Sequence, residues 1–185
     1  MRTFLALELP EDIKNEVFRK IEQYHEVAPT GIKWVPQENL HITLQFIGDT
    51  KKEDLPEITE YLDRSFSDLP KMKFIQPKLE IIPGRNPRVI WISFSTESKQ
   101  IFGFSKSFKK KLVEMGYQLD SKPLRFHVTL GRIKKRLPEI LINQILTTEL
   151  KFKSFIVDEA TLYQSFLRPQ GPIYEDIMNY KFSKE

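Results

Sequence analysis

The chain has 185 residues, with 29 lysines and arginines against 25 aspartates and glutamates and a formal net charge of +4 at pH 7. That length suits one compact domain or two small lobes sharing a core, and the modest excess of base fits a polyanionic substrate without demanding one. The absence of cysteine excludes a disulfide framework, a thiolate nucleophile and Cys-ligated zinc. The opening Met1–Glu8 turns acidic too soon for a signal peptide and no apolar run approaches membrane-spanning length, so a cytoplasmic protein with no membrane partner is expected.

In chain order, Thr3 to Leu9 reads as a strand ending at Pro10, and Glu11 to about Val27 as a helix with Ile13, Val17, Ile21 and Tyr24 at helical spacing. His25 falls beside Tyr24 on that helix, outside any motif. Pro29-Thr30-Gly31 is a turn, Lys33 to Val35 a short extended piece, and Pro36 to Asn39 a turn into a strand from Leu40 to Phe46, closed by Gly48-Asp49-Thr50. A second helix is expected over Glu53 to Phe66, with Pro56 in its first turn. Strands are expected over Phe74 to Ile82 and Arg88 to Phe94, separated by the loop Pro83 to Pro87. A third helix follows from Glu97 to Met115, with Gly116 as its C-cap. After a second strand around His127 come a weaker helix, Leu137 to Leu150, and closing strands over Phe152 to Tyr163 and Ile173 to Phe182. Their order suggests a duplication: an α+β protein, residues 1–185 forming one bilobal domain, with two lobes of mainly antiparallel sheet, outer helices, pseudo-twofold symmetry and an active-site cleft between the lobes.

The chemistry-bearing signal is a repeated motif. Two of the three histidines stand in the same frame, His41-Ile42-Thr43-Leu44 and His127-Val128-Thr129-Leu130. Each copy lies in an alternating stretch, so His and Thr at i and i+2 share one face of a strand, about 6.5–7 Å apart along it. A histidine on a strand is more often a partly buried side chain with a hydrogen-bond partner than a catalyst. Two such histidines both gaining Thr at +2 by accident is, on composition, roughly a one-per-cent event. If the strands lie side by side, two imidazoles and two hydroxyls line one groove, the equipment for metal-free acid–base chemistry on a phosphate ester.

Other features carry weaker signals. Lys109-Lys110-Lys111 reads as a solvated helix face. Arg132, Lys134, Lys135 and Arg136 follow the second motif as a phosphate-attracting rim, and Arg125, two residues before His127, is placed by strand period on the same face as a phosphate-binding candidate. Arg85 and Arg88 are weaker candidates of that type. Trp34, Tyr163 and Tyr174 are candidates to stack on a base. No Gly-rich phosphate loop, dinucleotide fingerprint or carboxylate cluster is present, and two histidines make a poor zinc set, so no metal or cofactor is expected.

The paired His-x-Thr-x motifs resemble those of the two-histidine (2H) phosphoesterase superfamily, and its LigT-like branch of RNA 2′,3′-cyclic phosphodiesterases most closely. The likeness runs nearly end to end, through Arg2–Pro10, Lys33–Pro36, Glu38–Gly48, Arg88–Trp91 and Ser165–Tyr174. It departs at Phe126, where the family often has proline, and at Gly131, where alanine is frequent. The resemblance implies a bilobal fold, both motifs in the central cleft, no metal, and opening of a 2′,3′-cyclic phosphate to a 2′-phosphate. It makes His41 the proton donor and His127 the proton acceptor, with Thr43 and Thr129 on phosphate oxygens; Arg125 and Tyr163 are expected on substrate from their strand position and aromatic character alone. RNA ends or small cyclic nucleotides are the expected substrates of a monomer. Three alternatives stay open: 2′–5′ RNA joining by the same groups, a nucleotide- or RNA-binding module without turnover, and a metal-dependent hydrolase.

Overall fold

The computed structural model describes residues 1–82 and 88–182; the loop Pro83–Pro87, with Arg85, lies outside them. Nine strands form one sheet. The first lobe comprises β1 (Arg2–Glu8), β3 (His41–Asp49), β8 (Glu159–Phe166) and β9 (Ile173–Lys181), in the order β3-β1-β8-β9. The second comprises β4 (Met72–Ile82), β5 (Arg88–Thr96), β6 (His127–Ile133) and β7 (Ser154–Val157), in the order β7-β4-β5-β6, with β2 (Ile32–Trp34) on the far end of β6. Every pairing is antiparallel. The lobes join at one backbone pair, Ile42 opposite Val128.

Apolar stripes place the helices. α1 (Glu11–Glu22) buries Ile13, Val17 and Ile21, and α2 (Leu55–Ser67) buries Ile58, Leu62 and Phe66. α3 (Gln100–Glu114) buries Ile101, Phe104, Phe108 and Leu112, and α4 (Glu139–Leu146) buries Leu141 and Ile145. The helices are exchanged between the two halves of the chain. α2 and α3 interlock through Phe66–Phe104 at 4.9 Å and Tyr61–Phe108 at 5.7 Å, and Phe66 stacks on Phe182 just beyond β9 at 5.0 Å. The Tyr24 hydroxyl, just past α1, donates to the Gln144 carbonyl of α4 at 2.9 Å. A second aromatic cluster, Phe74, Phe94, Phe126 and Phe155, fills the other lobe.

Some boundaries differ from the sequence pattern. α1 stops at Glu22, and His25 sits in the turns that follow, its ring 5.2 Å from that of Trp34. The run Phe152–Tyr163, one strand by its pattern, is two. It breaks at Asp158, whose carbonyl accepts from Phe182 N at 2.9 Å, and its halves pair in different lobes, β7 with β4 and β8 with β1. An unbroken apolar pattern does not reveal that its two ends serve different sheet edges. Within β4 the pairing slips between Ile75 and Lys78, where Gln76 takes φ 54°. Pro77 has no N–H for the ladder, and a bulge is where a sheet tolerates it.

The duplication extends to register. Leu7 and Ile92 oppose Ile42 and Val128, and Ala6 and Trp91 oppose Thr43 and Thr129. One residue further both ladders slip: Leu5 meets Gln45 and Ile90 meets Gly131, leaving Leu44 and Leu130 as extra residues. Each motif strand thus carries a β-bulge just after its threonine, and His41–Ile47 and His127–Ile133 repeat the same order of half-buried, buried and exposed positions.

Gly131 is where the halves differ most. A Cβ there would stand 2.8 Å from Ile32 Cγ2 and 3.1 Å from Trp34 Cε3, because β2 pairs alongside it and these two side chains close over the glycine. Gly131→Ala must push the Ile32 and Trp34 side chains aside, a cost of about 1–3 kcal/mol of overpacking. The expected result is a lower urea midpoint at unchanged slope; an unchanged or raised midpoint would contradict this account of the glycine.

Candidate active site

The site follows from the single inter-lobe pair. In an antiparallel ladder, one step either side of Ile42–Val128 sets His41 across from Thr129 and Thr43 across from His127. Ile42 and Val128 are fully buried and point into the core, so by alternation the four motif side chains share the opposite face. All four line one cavity of about 320 Å³.

The bulges decide what else faces it. Strict alternation would bring Gln45 and Gly131 to the cavity after the threonines. The extra residue in each strand reverses the phase, so that Phe46 and Arg132 line it instead. Lys33 and Lys134 add positive charge, Trp34 and Tyr174 add aromatic wall, and no carboxylate lines the cavity among the described residues.

Both imidazoles are held in the same way. Nδ1–H of His41 donates to the Asn39 carbonyl at 2.8 Å, and Nδ1–H of His127 to the Arg125 carbonyl at 3.0 Å, each two residues upstream. A carbonyl only accepts, so Nδ1 carries the proton and Nε2 is the atom free to change protonation. Nε2 of His41 lies 3.0 Å from the Thr43 hydroxyl. Nε2 of His127 has no hydrogen-bond partner among the described residues. Asn39 also donates from Nδ2 to the Pro172 carbonyl at 3.0 Å, tying the Leu167–Pro172 segment to the mouth of the cavity.

The surroundings of the two rings differ. His41 rests on Phe4 at 5.1 Å and meets Tyr174 edge-on at 5.5 Å. Behind it Glu8, paired with His41 in the β1–β3 ladder, accepts from the Tyr163 hydroxyl and lies 3.3 Å from Lys14 Nζ. Burial lowers the His41 pKa below its ordinary value, opposed by the Asn39 carbonyl and the Glu8 carboxylate. His127 lies against Trp91 at 4.2 Å, and Trp91 Nε1 donates to Glu80 at 3.1 Å. Burial lowers the His127 pKa as well, opposed by the Arg125 carbonyl and reinforced by the Arg125 guanidinium. Burial and the Glu8 hydrogen bond push the Tyr163 hydroxyl far above its usual range, so it stays a donor.

Of the residues singled out by sequence, His41, Thr43, His127, Thr129, Trp34, Tyr174, Arg132 and Lys134 come together. Tyr163 does not line the cavity; it stacks on Phe4 at 5.1 Å, behind His41, with its hydroxyl on Glu8. Arg125 lies outside as well, in adjacent grooves that share His127. Arg88, Lys135 and Arg136 do not line it either. Lys109, Lys110 and Lys111 do three separate things: Lys109 donates to the Asp120 and Lys122 carbonyls, Lys110 pairs with Glu114 at 3.7 Å, and Lys111 pairs with Glu57. Glu8, Asn39 and Phe46 were not candidates by sequence. Glu8 is visible only through strand pairing, and Phe46 only through the bulge. Among the described residues no group of three or more His, Asp or Glu could hold a metal ion, and no helix is long and apolar enough to cross a membrane.

Comparison with known proteins fits this geometry. The family model described as LigT like Phosphoesterase matches residues 7–91 and 94–174, one motif in each segment. Among curated relatives, the RNA 2′,3′-cyclic phosphodiesterase of Methanocaldococcus jannaschii is 36% identical over 97% of this chain and 100% of its own length. The protein of the same name from Archaeoglobus fulgidus is 33% identical over 96% and 98%. Among solved structures, a protein of Thermus thermophilus superposes with TM-score 0.76 at 24% identity over the whole of both chains. Escherichia coli LigT complexed with 3′-AMP superposes with TM-score 0.78 at 20% identity, over 99% of this chain and 98% of that one. The likeness to the solved structures concerns the fold. With the match of the family model over both halves of the chain, the protein belongs to the LigT-like phosphoesterases.

Proposed function

We propose that this protein hydrolyses RNA 2′,3′-cyclic phosphate ends to 2′-phosphates by two-histidine acid–base catalysis without a metal. The observation that carries the reading is the cavity itself. It brings two imidazoles, each with a hydroxyl facing it across the ladder, into a cationic pocket without a lining carboxylate. The names of the curated relatives point to the same reaction. A cyclic phosphate brings negative charge that such a lining attracts. Its opening needs a water deprotonated on one side of phosphorus and a proton delivered to the leaving oxygen on the other.

The environments support one allocation of roles. His127, beside the Arg125 guanidinium and with an uncommitted Nε2, is the base that takes a proton from water. His41, with the Glu8 carboxylate behind it favouring the imidazolium, is the acid that protonates the 3′-oxygen. Thr43 and Thr129 hold non-bridging oxygens and keep phosphorus in line, and Arg132, Lys33 and Lys134 stabilise the phosphate's charge. Phe46, Trp34 and Tyr174 are the aromatic surface for the terminal base. Tyr163 acts through Glu8 on His41. The reading takes the chain as one bilobal, monomeric unit of the cytoplasm; that one chain supplies every group named supports the monomer.

An RNA ending in a labelled 2′,3′-cyclic phosphate is the test substrate. A 2′-phosphate product, turnover that persists in EDTA, and a loss of about 10²–10⁴-fold in both His41→Ala and His127→Ala are expected. A 3′-phosphate product, or full activity in either variant, would sink the reading. Adding an RNA with a 5′-hydroxyl to the same assay separates hydrolysis from joining.

The pH dependence carries a sign. His127 must be neutral, so kcat/KM falls as pH drops through its pKa. His41 must be protonated, so kcat/KM falls as pH rises through its own. Burial lowers both from the ordinary 6.5, so the bell in kcat/KM is centred below pH 6.5. Glu8→Gln removes the carboxylate that favours protonated His41, and the alkaline limb should move to lower pH while the acid limb stays. An alkaline limb unmoved by Glu8→Gln contradicts the assignment of His41 as the acid.

A further inference from the structure

A groove of about 750 Å³ lies beside the cavity and meets it at Thr43, Phe46 and His127, which line both. The two hollows are counterparts under the pseudo-twofold. The cavity is bounded by the segment preceding β3 and the far part of β6; the groove is bounded by the segment preceding β6 and the far part of β3. The same two bulged strands therefore build a recess on each side of the histidine pair.

The groove has its own chemistry. Its apolar surface includes Leu119, Leu124 and Phe46, the last 60% exposed. Lys109, Lys122 and Arg125 line it as cations, with one carboxylate, Asp120, among them. Lys109 fastens the wall by donating to the Lys122 carbonyl at 2.7 Å and the Asp120 carbonyl at 3.4 Å. Lys122 lies 3.1 Å from Asp120, but its side chain is 83% exposed, and the Arg125 guanidinium forms no ion pair among the described residues.

We infer that this groove holds the RNA strand that carries the cyclic phosphate end, with bases against Phe46, Leu119 and Leu124 and backbone phosphates toward Lys122 and Arg125. The inference rests on the proposed reading of the histidine pair. At about 320 Å³ the cavity is at the small end of ligand pockets, room for a terminal nucleotide and little more. Further nucleotides must lie outside it, and the groove is continuous with it through a shared aromatic ring. Apolar surface takes bases of any sequence, and cations follow the backbone. Arg125, in the segment before β6 and outside the cavity, has its role here.

The test is binding, read by fluorescence anisotropy of a labelled RNA of roughly six nucleotides ending in a 2′-phosphate, with a nucleoside 2′-phosphate as competitor. The protein should hold the RNA roughly tenfold or more tighter than the mononucleotide. Lys122→Glu should weaken the RNA about tenfold, make its log–log salt dependence shallower by about 0.7, and leave the mononucleotide within about twofold. Equal losses on both ligands, no loss on either, or an RNA bound no tighter than the mononucleotide would overturn the inference. These ligands resemble product and need no turnover, so failure to hydrolyse cyclic phosphates would count against the proposed function alone.

Discussion

One backbone pair, Ile42 with Val128, holds the site together. An antiparallel pair has a local twofold axis perpendicular to its strands, and placing it between the lobes makes it the axis of the molecule. Whatever stands one residue to either side is duplicated on the same face, so a His-x-Thr motif centred on that pair delivers two imidazoles and two hydroxyls to one spot. The pair itself is anchored by burial, since Ile42 and Val128 are wholly enclosed and each strand has a full ladder on its other side. A slip of one residue would turn the histidines into the core and the apolar pair toward the cavity, which the hydrophobic effect opposes strongly. Register and the meeting of the four motif side chains are thus fixed by the same contact.

The twin bulges do the next part of the work. A ladder running on past Thr43 and Thr129 would close the space between the lobes. Instead each motif strand takes up an extra residue as it pairs with its own lobe, which bends the strand and reverses the phase of its side chains. The bends leave room for a cavity on one side of the axis and a groove on the other. The reversals put an aromatic ring, Phe46, and a guanidinium, Arg132, where alternation would have put a buried amide and a glycine. Gly131 leaves room for the side chains of its paired strand β2, and Trp34 of that strand reaches the cavity wall.

Much of this was legible in the sequence, because periodicity reports burial. The helices and most strands show their faces, and the repeated motif by itself marks the two strands that meet at the axis. What could not be read was whatever depends on pairing across distance. Nothing in Phe152–Tyr163 says that its first part belongs to one lobe and its second to the other. The period-two rule put Arg125 on the face of His127, and the side chain does share a groove with it, yet outside the cavity; Arg132, beyond the bulge, is the arginine that enters. Tyr163 is an aromatic residue near the site, but the groups that would tell a base-stacking ring from a buttress, Phe4 and Glu8, lie more than 150 positions away in the chain.

A symmetric scaffold still has to run an asymmetric reaction, and the symmetry is broken outside the motifs. Position for position the histidines match, down to the carbonyl two residues upstream that fixes each tautomer. Their ladder partners do not. Glu8 stands opposite His41, and Ser93 stands at the corresponding place opposite His127. A carboxylate behind one imidazole favours its cation, while beside the other imidazole a guanidinium disfavours the cation. Tyr163 and Lys14 hold the Glu8 carboxylate behind His41, and it does not line the cavity. Duplicating the strands gives two like imidazoles; the Glu8 carboxylate beside one and the Arg125 guanidinium beside the other make their surroundings unlike, as the proposed division into acid and base requires.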